Sequence, residues 1–396
     1  MELRGMLRSL DLSRPNQVAG RIVSQSLLLV SLALACAGGQ TISFEPARSF
    51  GAGISGRLLS GDWNGDRKTD VAALGGSRIS LFEGDGVGNL RLATELDIEA
   101  NVVAAADVNS DGRTDFLVLT HWADPLSAGN QELLVFLSEG EFRFAPPVRA
   151  RPKGRPWIGF EVADLNQDGK PDLLVFPNGL YVSVLLGNGD GTFSDPLGTQ
   201  VFFSFFLAVD DFDQDGLPDL LAGDWSGILQ IQFGRGDGTF QPETVSVAGA
   251  RAIYGWCGYG VADVDGDHKP DLWIGDEMWC PGLDLFRGSG RATFDTLSSL
   301  TAFTPSQVAA SMLFADFNQD GFPDLVALPE IYAGDGKGGF VQGASLADLP
   351  ASGRHALIVD VNGDGKPDIV VSDSTLRLTL WLNNSKRSPG PPRSRR

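Results

Sequence analysis

The sequence has few of the residue types that build soft-metal or nucleophilic sites. Its 396 residues include only 3 His and 3 Cys, and these do not cluster in the sequence as the ligands of a zinc centre do. No Gly-x-Ser-x-Gly segment marks a catalytic serine. Lys and Arg number 31 against 50 Asp and Glu, for a net charge of −19, so the basic surface of a nucleic-acid-binding protein is missing. Long helical periodicity is also missing beyond residue 40.

Aspartate is abundant and occurs in a fixed pattern. The nine-residue pattern Asp-x-Asn/Asp-x-Asp-x-x-x-Asp occurs seven times. Oxygen side chains at positions one, three, five and nine of such a loop can converge on Ca²⁺, which takes 6–8 oxygen ligands. These expected ligands are Asp62, Asn64, Asp66 and Asp70; Asp107, Asn109, Asp111 and Asp115; Asp164, Asn166, Asp168 and Asp172; Asp211, Asp213, Asp215 and Asp219; Asp263, Asp265, Asp267 and Asp271; Asp316, Asn318, Asp320 and Asp324; and Asp360, Asn362, Asp364 and Asp368.

The loops favour Ca²⁺ over Mg²⁺, because Mg²⁺ demands near-octahedral geometry and retains its waters. Glycine at position six permits the sharp turn. Arg67 and His268 replace it in loops one and five, where we expect weaker binding. Seven divalent ions would bring the net charge from −19 to about −5. We therefore expect up to seven structural Ca²⁺ ions and attribute most of the acidity to the metal loops.

The spacing of the loops predicts the fold. Their starts are separated by 45, 57, 47, 52, 53 and 44 residues, close to the period of propeller and solenoid repeats. Each unit contains short apolar runs that read as four strands, with a Gly-rich turn before the last, as in Gly187–Phe193 and Gly234–Phe240. This pattern predicts an all-β fold, a seven-bladed β-propeller of four-stranded antiparallel blades. An open solenoid is the alternative.

The two ends of the chain favour the closed ring. The last unit stops after its third strand, at Leu380–Asn384, whereas Thr41–Pro46 resembles the missing fourth strand. We therefore expect residues 41–50 to complete the last blade and to cover sheet edges that would otherwise be open.

The metal-loop units resemble FG-GAP (VCBS-type) repeats. Proteins of this family form the calcium-binding propeller of integrin α-subunits and of many secreted bacterial proteins. The resemblance covers about residues 41–384 and implies a calcium-binding propeller. It implies much less about activity, because one fold supports many functions.

The chain outside the repeats predicts export. Residues 1–37 combine arginines with a short apolar stretch before Ala33–Ala35, as in a signal peptide, and Cys36 then suggests a lipoprotein anchor. Three alternatives remain open: lipidation at Cys36, simple secretion and an uncleaved anchor. The expected localisation is therefore extracellular, periplasmic or on an outer surface. The domain then spans residues 38–384, and the basic residues 385–396 read as a disordered tail. Cys257 and Cys280 form either a disulfide or two free thiols.

The face opposite the metal loops is the expected ligand site. Exposed aromatic side chains there would suit a sugar or peptide, although several could instead pack between blades. We therefore expect a monomeric, adhesion-like module that binds a glycan or protein, with no nucleic-acid partner. The alternative is a calcium-dependent carbohydrate-active enzyme, a polysaccharide lyase or glycosidase, although we identify no catalytic residues. The candidate contacts are Trp122, Trp157, Trp225, Tyr254, Trp256 and Trp279.

Overall fold

The described part of the chain consists of β-strands, turns and irregular segments, with no helix. The structure is a computed structural model that describes residues 42–51, 56–75, 77–120, 131–150, 157–177, 182–198, 206–223, 229–246, 258–275, 283–300, 313–347, 349, 355–372 and 377–386. All of these residues belong to one compact unit that begins at Ile42.

The strands follow one another in sets of four along most of the chain. In chain order they are β1 (Arg48–Gly51), β2 (Leu58–Gly61), β3 (Asp70–Gly75), β4 (Arg78–Gly84), β5 (Leu90–Asp97), β6 (Ala100–Ala106), β7 (Asp115–Thr120), β8 (Leu133–Phe136), β9 (Ser138–Gly140), β10 (Arg143–Phe144), β11 (Val148–Ala150), β12 (Trp157–Ala163), β13 (Asp172–Pro177), β14 (Ser183–Leu185), β15 (Leu197–Gly198), β16 (Phe206–Asp210), β17 (Asp219–Gly223), β18 (Leu229–Gly234), β19 (Phe240–Ser246), β20 (Gly258–Ala262), β21 (Asp271–Gly275), β22 (Leu283–Gly288), β23 (Phe294–Leu300), β24 (Leu313–Ala315), β25 (Asp324–Ala327), β26 (Glu330–Gly334), β27 (Phe340–Ser345), β28 (His355–Val359), β29 (Asp368–Ser372) and β30 (Arg377–Trp381).

These strands form seven four-stranded sheets, and a small hairpin of β9 and β10 is added in the second repeat. The first six sheets are β2–β5, then β6, β7, β8 and β11, then β12–β15, β16–β19, β20–β23 and β24–β27, and the seventh contains β28, β29, β30 and β1. The described pairs are antiparallel, as in β16 with β17, where Asp210 faces Asp219. The predicted seven-bladed propeller of four-stranded antiparallel blades is confirmed.

The hydrophobic core lies between neighbouring blades. The second strand of a blade, such as β17, is buried along its whole length, because one neighbouring blade packs on each of its faces. In the described residues, buried apolar side chains form seven clusters. Each cluster joins two adjacent blades, as Leu221 and Ile231 of blade four pack with Leu272 and Ile274 of blade five.

One of these seven clusters joins the last blade to the first. It packs Val71 and Phe82 of blade one against Val370 and Leu380 of blade seven. An open solenoid of seven units would have one junction fewer and would leave these faces exposed. The packing therefore belongs to a closed ring.

The N-terminal part of the described chain lies in the sheet of the last blade. β1 pairs with β30, with Arg48 opposite Leu380 and Gly51 opposite Arg377, and Phe44 forms a bridge with Asn383. Within the segment predicted for this position, residues 41–50, the regular strand thus begins at Arg48 and continues to Gly51.

The boundaries of the domain differ slightly from expectation at the C-terminal end. Ser385, which the sequence placed in the disordered tail, is 3% exposed, and its hydroxyl accepts a hydrogen bond from the Ser43 N–H at 2.9 Å. The ordered blade therefore includes this residue. No helix in the described part of the chain is long or apolar enough to cross a lipid bilayer.

Several predictions concern residues outside the described ranges. They are the export segment 1–37 with Cys36, the pair Cys257 and Cys280, most of the basic tail, and Trp122, Trp225, Tyr254, Trp256 and Trp279.

Candidate metal loops

Each Asp-rich loop connects the first strand of a blade to the second. Loop four, for example, lies between β16, which ends at Asp210, and β17, which begins at Asp219. Position nine is the first residue of the second strand in every blade. Because the first strand has the same direction in each blade of a propeller, all seven loops lie on one face.

The backbone of each loop turns twice through the left-handed region. Position six has a positive φ in every loop, including 64° at Arg67 and 65° at His268. Position four also has a positive φ, from 54° at Gln319 to 81° at Gly65, which the sequence analysis did not predict. Loops one and five have glycine at position four instead of position six, so every loop contains at least one residue for which this conformation has no steric cost.

Backbone N–H groups hold the carboxylates in place. In loop four the two oxygens of Asp211 accept hydrogen bonds from the N–H groups of Asp215, at 3.1 Å, and Gly216, at 2.9 Å. The Asp213 carboxylate accepts from the Asp215 N–H at 3.1 Å, and Asp215 accepts from the Leu217 N–H at 2.8 Å. These donors offset part of the negative charge and orient the side chains.

Positions one, three and nine converge. In loop four, carboxylate oxygens of Asp211, Asp213 and Asp219 all lie within 4.8 Å of one another, and Asp263, Asp265 and Asp271 do the same in loop five. The donor set consists of oxygens only, which suits a hard cation such as Ca²⁺. The residues present therefore fit the ion that the sequence predicts.

Position nine has a second role that the sequence analysis did not anticipate. The Asp219 side chain is fully buried, and its two oxygens accept hydrogen bonds from the N–H groups of Phe212, at 3.0 Å, and Gly234, at 2.8 Å. The residue thus ties its loop to the end of the third strand of the same blade. The equivalent carboxylates, each with two backbone donors, are Asp70, Asp115, Asp172, Asp271, Asp324 and Asp368.

Burial makes an isolated negative charge unfavourable at position nine. Desolvation raises the pKa of Asp219 to about 6 and that of Asp324 to about 7. The hydrogen bonds from backbone N–H groups lower the pKa of both residues, but desolvation has the larger effect. The same cause raises the pKa to about 6 at Asp70, Asp115, Asp271 and Asp368. A cation at the loop would favour the charged form.

Position five pairs with a basic residue at position seven in most loops, another feature that the sequence analysis missed. The Lys170 ammonium lies 3.5 Å from Asp168, and Lys269 lies 2.7 Å from Asp267. A hydrogen bond from the Lys170 backbone N–H lowers the pKa of Asp168. The recurrence of Lys or Arg two residues after position five was the available signal. The other pairs are Lys68 with Asp66, Arg113 with Asp111 and Lys366 with Asp364.

Position two anchors each loop between two blades. Phe212 is 2% exposed, and its carbonyl accepts a hydrogen bond at 2.9 Å from the N–H of Ala292 in the next blade. An apolar residue at this place in every copy was the sequence signal. The seven residues are Trp63, Val108, Leu165, Phe212, Val264, Phe317 and Val361.

Family comparison agrees with the loops and the blades. The profile described as FG-GAP-like repeat matches residues 62–118, 121–175 and 211–274, and these segments contain loops of the kind found in all seven blades. The chain is a β-propeller that contains FG-GAP-like repeats. A search of curated protein sequences found no significant match.

Solved structures similar to this propeller support the fold alone, because their sequences are distant. One is a lectin of Agrocybe aegerita described as specific for non-reducing terminal N-acetylglucosamine (17% identity, TM-score 0.56, 76% of this chain and 89% of that chain). Another is BBS1N in complex with ARL6DN (10% identity, TM-score 0.57, 87% of this chain and 99% of that chain). A third is the exotype rhamnogalacturonan lyase YesX (14% identity, TM-score 0.54, 87% of this chain and 74% of that chain).

The face of the propeller opposite the metal loops carries a groove between blades one and two. Its volume is about 540 Å³, and it combines carboxylates with apolar side chains. A smaller cleft of about 220 Å³ between the same two blades has Arg57, Arg78 and Ala100 in its wall. The groove is lined by Asp97, Ile98, Glu99, Thr120, Glu132, Leu134, Phe136, Pro147 and Arg149.

Trp157, one of the aromatic residues predicted to contact a ligand, does not lie on an exposed surface. It is 2% exposed and packs with Leu119 and Leu133 between blades two and three. Its backbone N–H donates to the Gln131 side-chain oxygen at 2.7 Å. For Trp157 the packing alternative is therefore correct. The other five predicted contacts lie outside the described residues.

Proposed function

We propose that this protein is an exported, calcium-loaded propeller that binds a glycan or protein ligand at the cell surface through the face opposite its metal loops. The observation that carries the calcium part is the convergence of Asp211, Asp213 and Asp219 within 4.8 Å. Three carboxylates at this separation repel one another unless a cation lies among them.

Calcium would have a structural role in each loop. It would neutralise the carboxylates and join the first strand of a blade to the second through positions one and nine. Since an ion that binds only the folded state stabilises that state, calcium affinity would be coupled to folding. The side chains of the chain itself supply the oxygen ligands, and the backbone donors of positions five and six hold the Asp at position one in place.

The proposed address rests on the N-terminal sequence. The arginines and the apolar stretch of residues 1–37 support export, and Cys36 supports a lipid anchor as one of the two main routes to the surface. A radiolabelled fatty acid incorporated into the wild type but not into Cys36→Ser would distinguish the anchored form from the freely secreted one.

The groove between blades one and two supports the proposal that this face binds the ligand. The groove offers hydrogen-bond acceptors in the carboxylates of Asp97, Glu99 and Glu132. It also offers an apolar surface, formed by Leu134 and Phe136, for the flat side of a sugar ring or for a peptide side chain. The similar lectin fold is one example of a propeller described as recognising a sugar, which makes glycans the first probes to use.

Metal binding is tested first. We expect purified protein equilibrated with Ca²⁺ to retain it in elemental analysis, and its melting temperature to fall on addition of EDTA. Asp211→Asn should lose about one equivalent of Ca²⁺, because it removes a charge from loop four. Asp295→Asn, an exposed aspartate on β23, is the matched control. Absence of bound Ca²⁺ together with an unchanged melting temperature in EDTA would contradict the proposal.

A carbohydrate-active enzyme is the second candidate, and the acidic side chains of the groove favour it. Glu99 and Glu132 line the same groove as Arg149, and paired carboxylic acids are the usual catalysts of glycoside cleavage. A glycan array and turnover assays on the same polysaccharides separate the two functions. Binding without product supports the binding module. Product formation that is lost in Glu132→Gln supports the enzyme.

A further inference from the structure

Position three of loop five is in contact with a basic side chain from the third strand of its own blade. The Arg287 guanidinium forms an ion pair with the carboxylate of Asp265, whose side chain is 3% exposed. Asp265 is also one of the three residues whose carboxylate oxygens converge in this loop, together with Asp263 and Asp271. A cation that belongs to the protein therefore already lies against an expected Ca²⁺ ligand.

The position of Arg287 in β22 explains how its side chain reaches the loop. Arg287 directly precedes Gly288, the last residue of the strand, and the Gly288 N–H donates to the Asp271 carboxylate at 2.7 Å. This hydrogen bond holds the end of the third strand beside loop five. Because the Arg287 side chain is 43% exposed and that of Asp265 is nearly buried, the arginine extends from the surface to a carboxylate that water hardly reaches.

Two further basic side chains lie beside the carboxylates of loop five. The Lys269 ammonium lies 2.7 Å from the Asp267 carboxylate. The imidazole of His268 lies 3.6 Å from Asp263 and is 94% exposed, and it adds positive charge only when it is protonated. Arginine and lysine together carry the charge of one divalent ion, so the loop already contains the positive charge that Ca²⁺ would bring.

Loop four is the matched loop without these side chains. It also has aspartate at positions one, three, five and nine, and three of its carboxylates converge as they do in loop five. The two loops differ at three places around the carboxylates. Phe233, Leu217 and Gly216 stand where loop five has Arg287, Lys269 and His268. The loops therefore offer the same ligands with a different amount of built-in positive charge.

We propose that Arg287, assisted by Lys269, is a built-in counter-ion that takes the place of Ca²⁺ in loop five. Loop five keeps its conformation without the ion and binds it more weakly than loop four does. This inference rests on the proposed calcium binding and adds which side chains replace the metal in one blade.

Electrostatics gives the reason for this difference. A buried carboxylate that loses its partner is strongly unfavourable, so Arg287 stabilises Asp265 in the metal-free protein. An incoming Ca²⁺ must displace the guanidinium or bind beside it, and like charges at such a separation repel each other. In loop four Phe233 stands at the equivalent place, so Ca²⁺ relieves the repulsion among the carboxylates without this cost. We expect the affinity of loop five to be lower by about tenfold or more.

Position-one variants of the two loops provide the first test. Full-length protein is dialysed against a series of buffered free Ca²⁺ concentrations, and bound Ca²⁺ per chain is counted by elemental analysis. The working concentration is the lowest at which Asp211→Asn binds less Ca²⁺ than the wild type, by about one equivalent. At that concentration Asp263→Asn should bind as much as the wild type, because loop five is not yet loaded. An equal loss in both variants would overturn the inference.

Removal of the built-in counter-ion should create a tighter Ca²⁺ site. At the working concentration, Arg287→Gln should bind about one equivalent more than the wild type, and the gain should disappear when Asp263→Asn is added to it. Arg377→Gln, at the exposed first residue of the third strand of blade seven, is the matched control for the lost charge and should bind as the wild type does. An unchanged count in Arg287→Gln, or an equal gain in Arg377→Gln, would overturn the inference.

Thermal melting in EDTA tests the same role without metal. Arg287→Gln should melt at a lower temperature than the wild type and Arg377→Gln, because Asp265 loses its partner. Added Ca²⁺ should then raise the melting temperature of Arg287→Gln more than that of the wild type. Equal melting temperatures of the three proteins in EDTA would show that Arg287 is not a counter-ion.

Failure of this inference is distinct from failure of the proposed function. If the wild type binds Ca²⁺ but loops four and five load together, only the inference is overturned. No bound Ca²⁺ in the wild type at any concentration would overturn the proposed calcium binding, and the inference with it. If Arg287→Gln does not fold even with Ca²⁺, the comparison of Asp263→Asn with Asp211→Asn decides the question.

Discussion

At the scale of the residue, the loop aspartates are not interchangeable. Position one accepts hydrogen bonds from within its own loop, as Asp211 does, whereas position nine also accepts one from the end of the third strand, as Asp219 does. The sequence predicts all of them as ligands because residue type and spacing determine which oxygens can meet an ion. It does not predict the partners of position nine, because Gly234 becomes a neighbour only when the third strand folds back.

This second role leads to a prediction for Asp219→Asn. The substitution replaces one acceptor by an NH₂ group that faces a backbone donor, so we expect the free energy of unfolding to fall by about 2–3 kcal/mol. The loss should persist in EDTA, because the hydrogen bonds to Phe212 and Gly234 do not require metal. Urea unfolding with and without Ca²⁺ measures it.

The control for that experiment is Asp295→Asn, which should stay within about 0.5 kcal/mol of wild type. If the effect of Asp219→Asn disappeared in EDTA, position nine would act through the ion alone.

At the scale of the element, the Gly-rich turn between the third and fourth strands has a packing requirement as well as a conformational one. The sequence predicts the turn from its glycines. It does not reveal that the first glycine, Gly234 in blade four, has no room for a side chain. A Cβ there would lie well inside contact distance of the Pro218 carbonyl oxygen, in the metal loop of the same blade. Such close approaches depend on the register of β17 and β18, which local sequence does not determine.

Gly234→Ala should therefore destabilise the protein strongly. The added methyl group must displace the backbone of loop four, and we expect a loss of about 3 kcal/mol or more, detected as a lower melting temperature.

Gly51→Ala, in the exposed β1 where a Cβ would meet nothing within 4 Å, should cost less than about 1 kcal/mol. Similar melting temperatures for the two alanine variants would show that loop four can move away from the turn.

At the scale of the whole molecule, the number of blades was predictable because each blade carries one loop and the loops can be counted. What could not be predicted is which residues of different blades meet. Arg57 of blade one acts electrostatically on Glu161 of blade three and on His355 of blade seven. These residues are far apart in sequence, and only the curvature of the ring brings their charges together.

The proximity of Arg57 to His355 makes the stability of the fold depend on pH. His355 is exposed at the start of β28, but partial desolvation by its surroundings, together with the charge of Arg57, lowers its pKa from the usual 6.5, so the folded state favours neutral histidine. The resulting contribution to stability is complete above pH 6.5 and is lost as the pH falls towards the lowered pKa. Arg57→Gln removes a positive charge and should raise the pKa of His355, as followed by NMR of the imidazole resonances.

Arg91→Gln, at an exposed arginine paired with Glu83 on the outer edge of blade one, is the matched control and should leave His355 unchanged. An unaltered His355 titration in Arg57→Gln would show that partial desolvation alone lowers its pKa.

The adjacency of Ser43 and Ser385 has one more consequence. Because the Asn384 N–H also donates to the Ser43 carbonyl at 3.0 Å, a short peptide could connect these two points, and the polypeptide could then start at another link, such as residues 98–99 between β5 and β6. The order in which the repeats are translated is thus separable from their order around the circle. For the same reason the entire toroid could be grafted into a surface loop of a host protein, entering and leaving through neighbouring points.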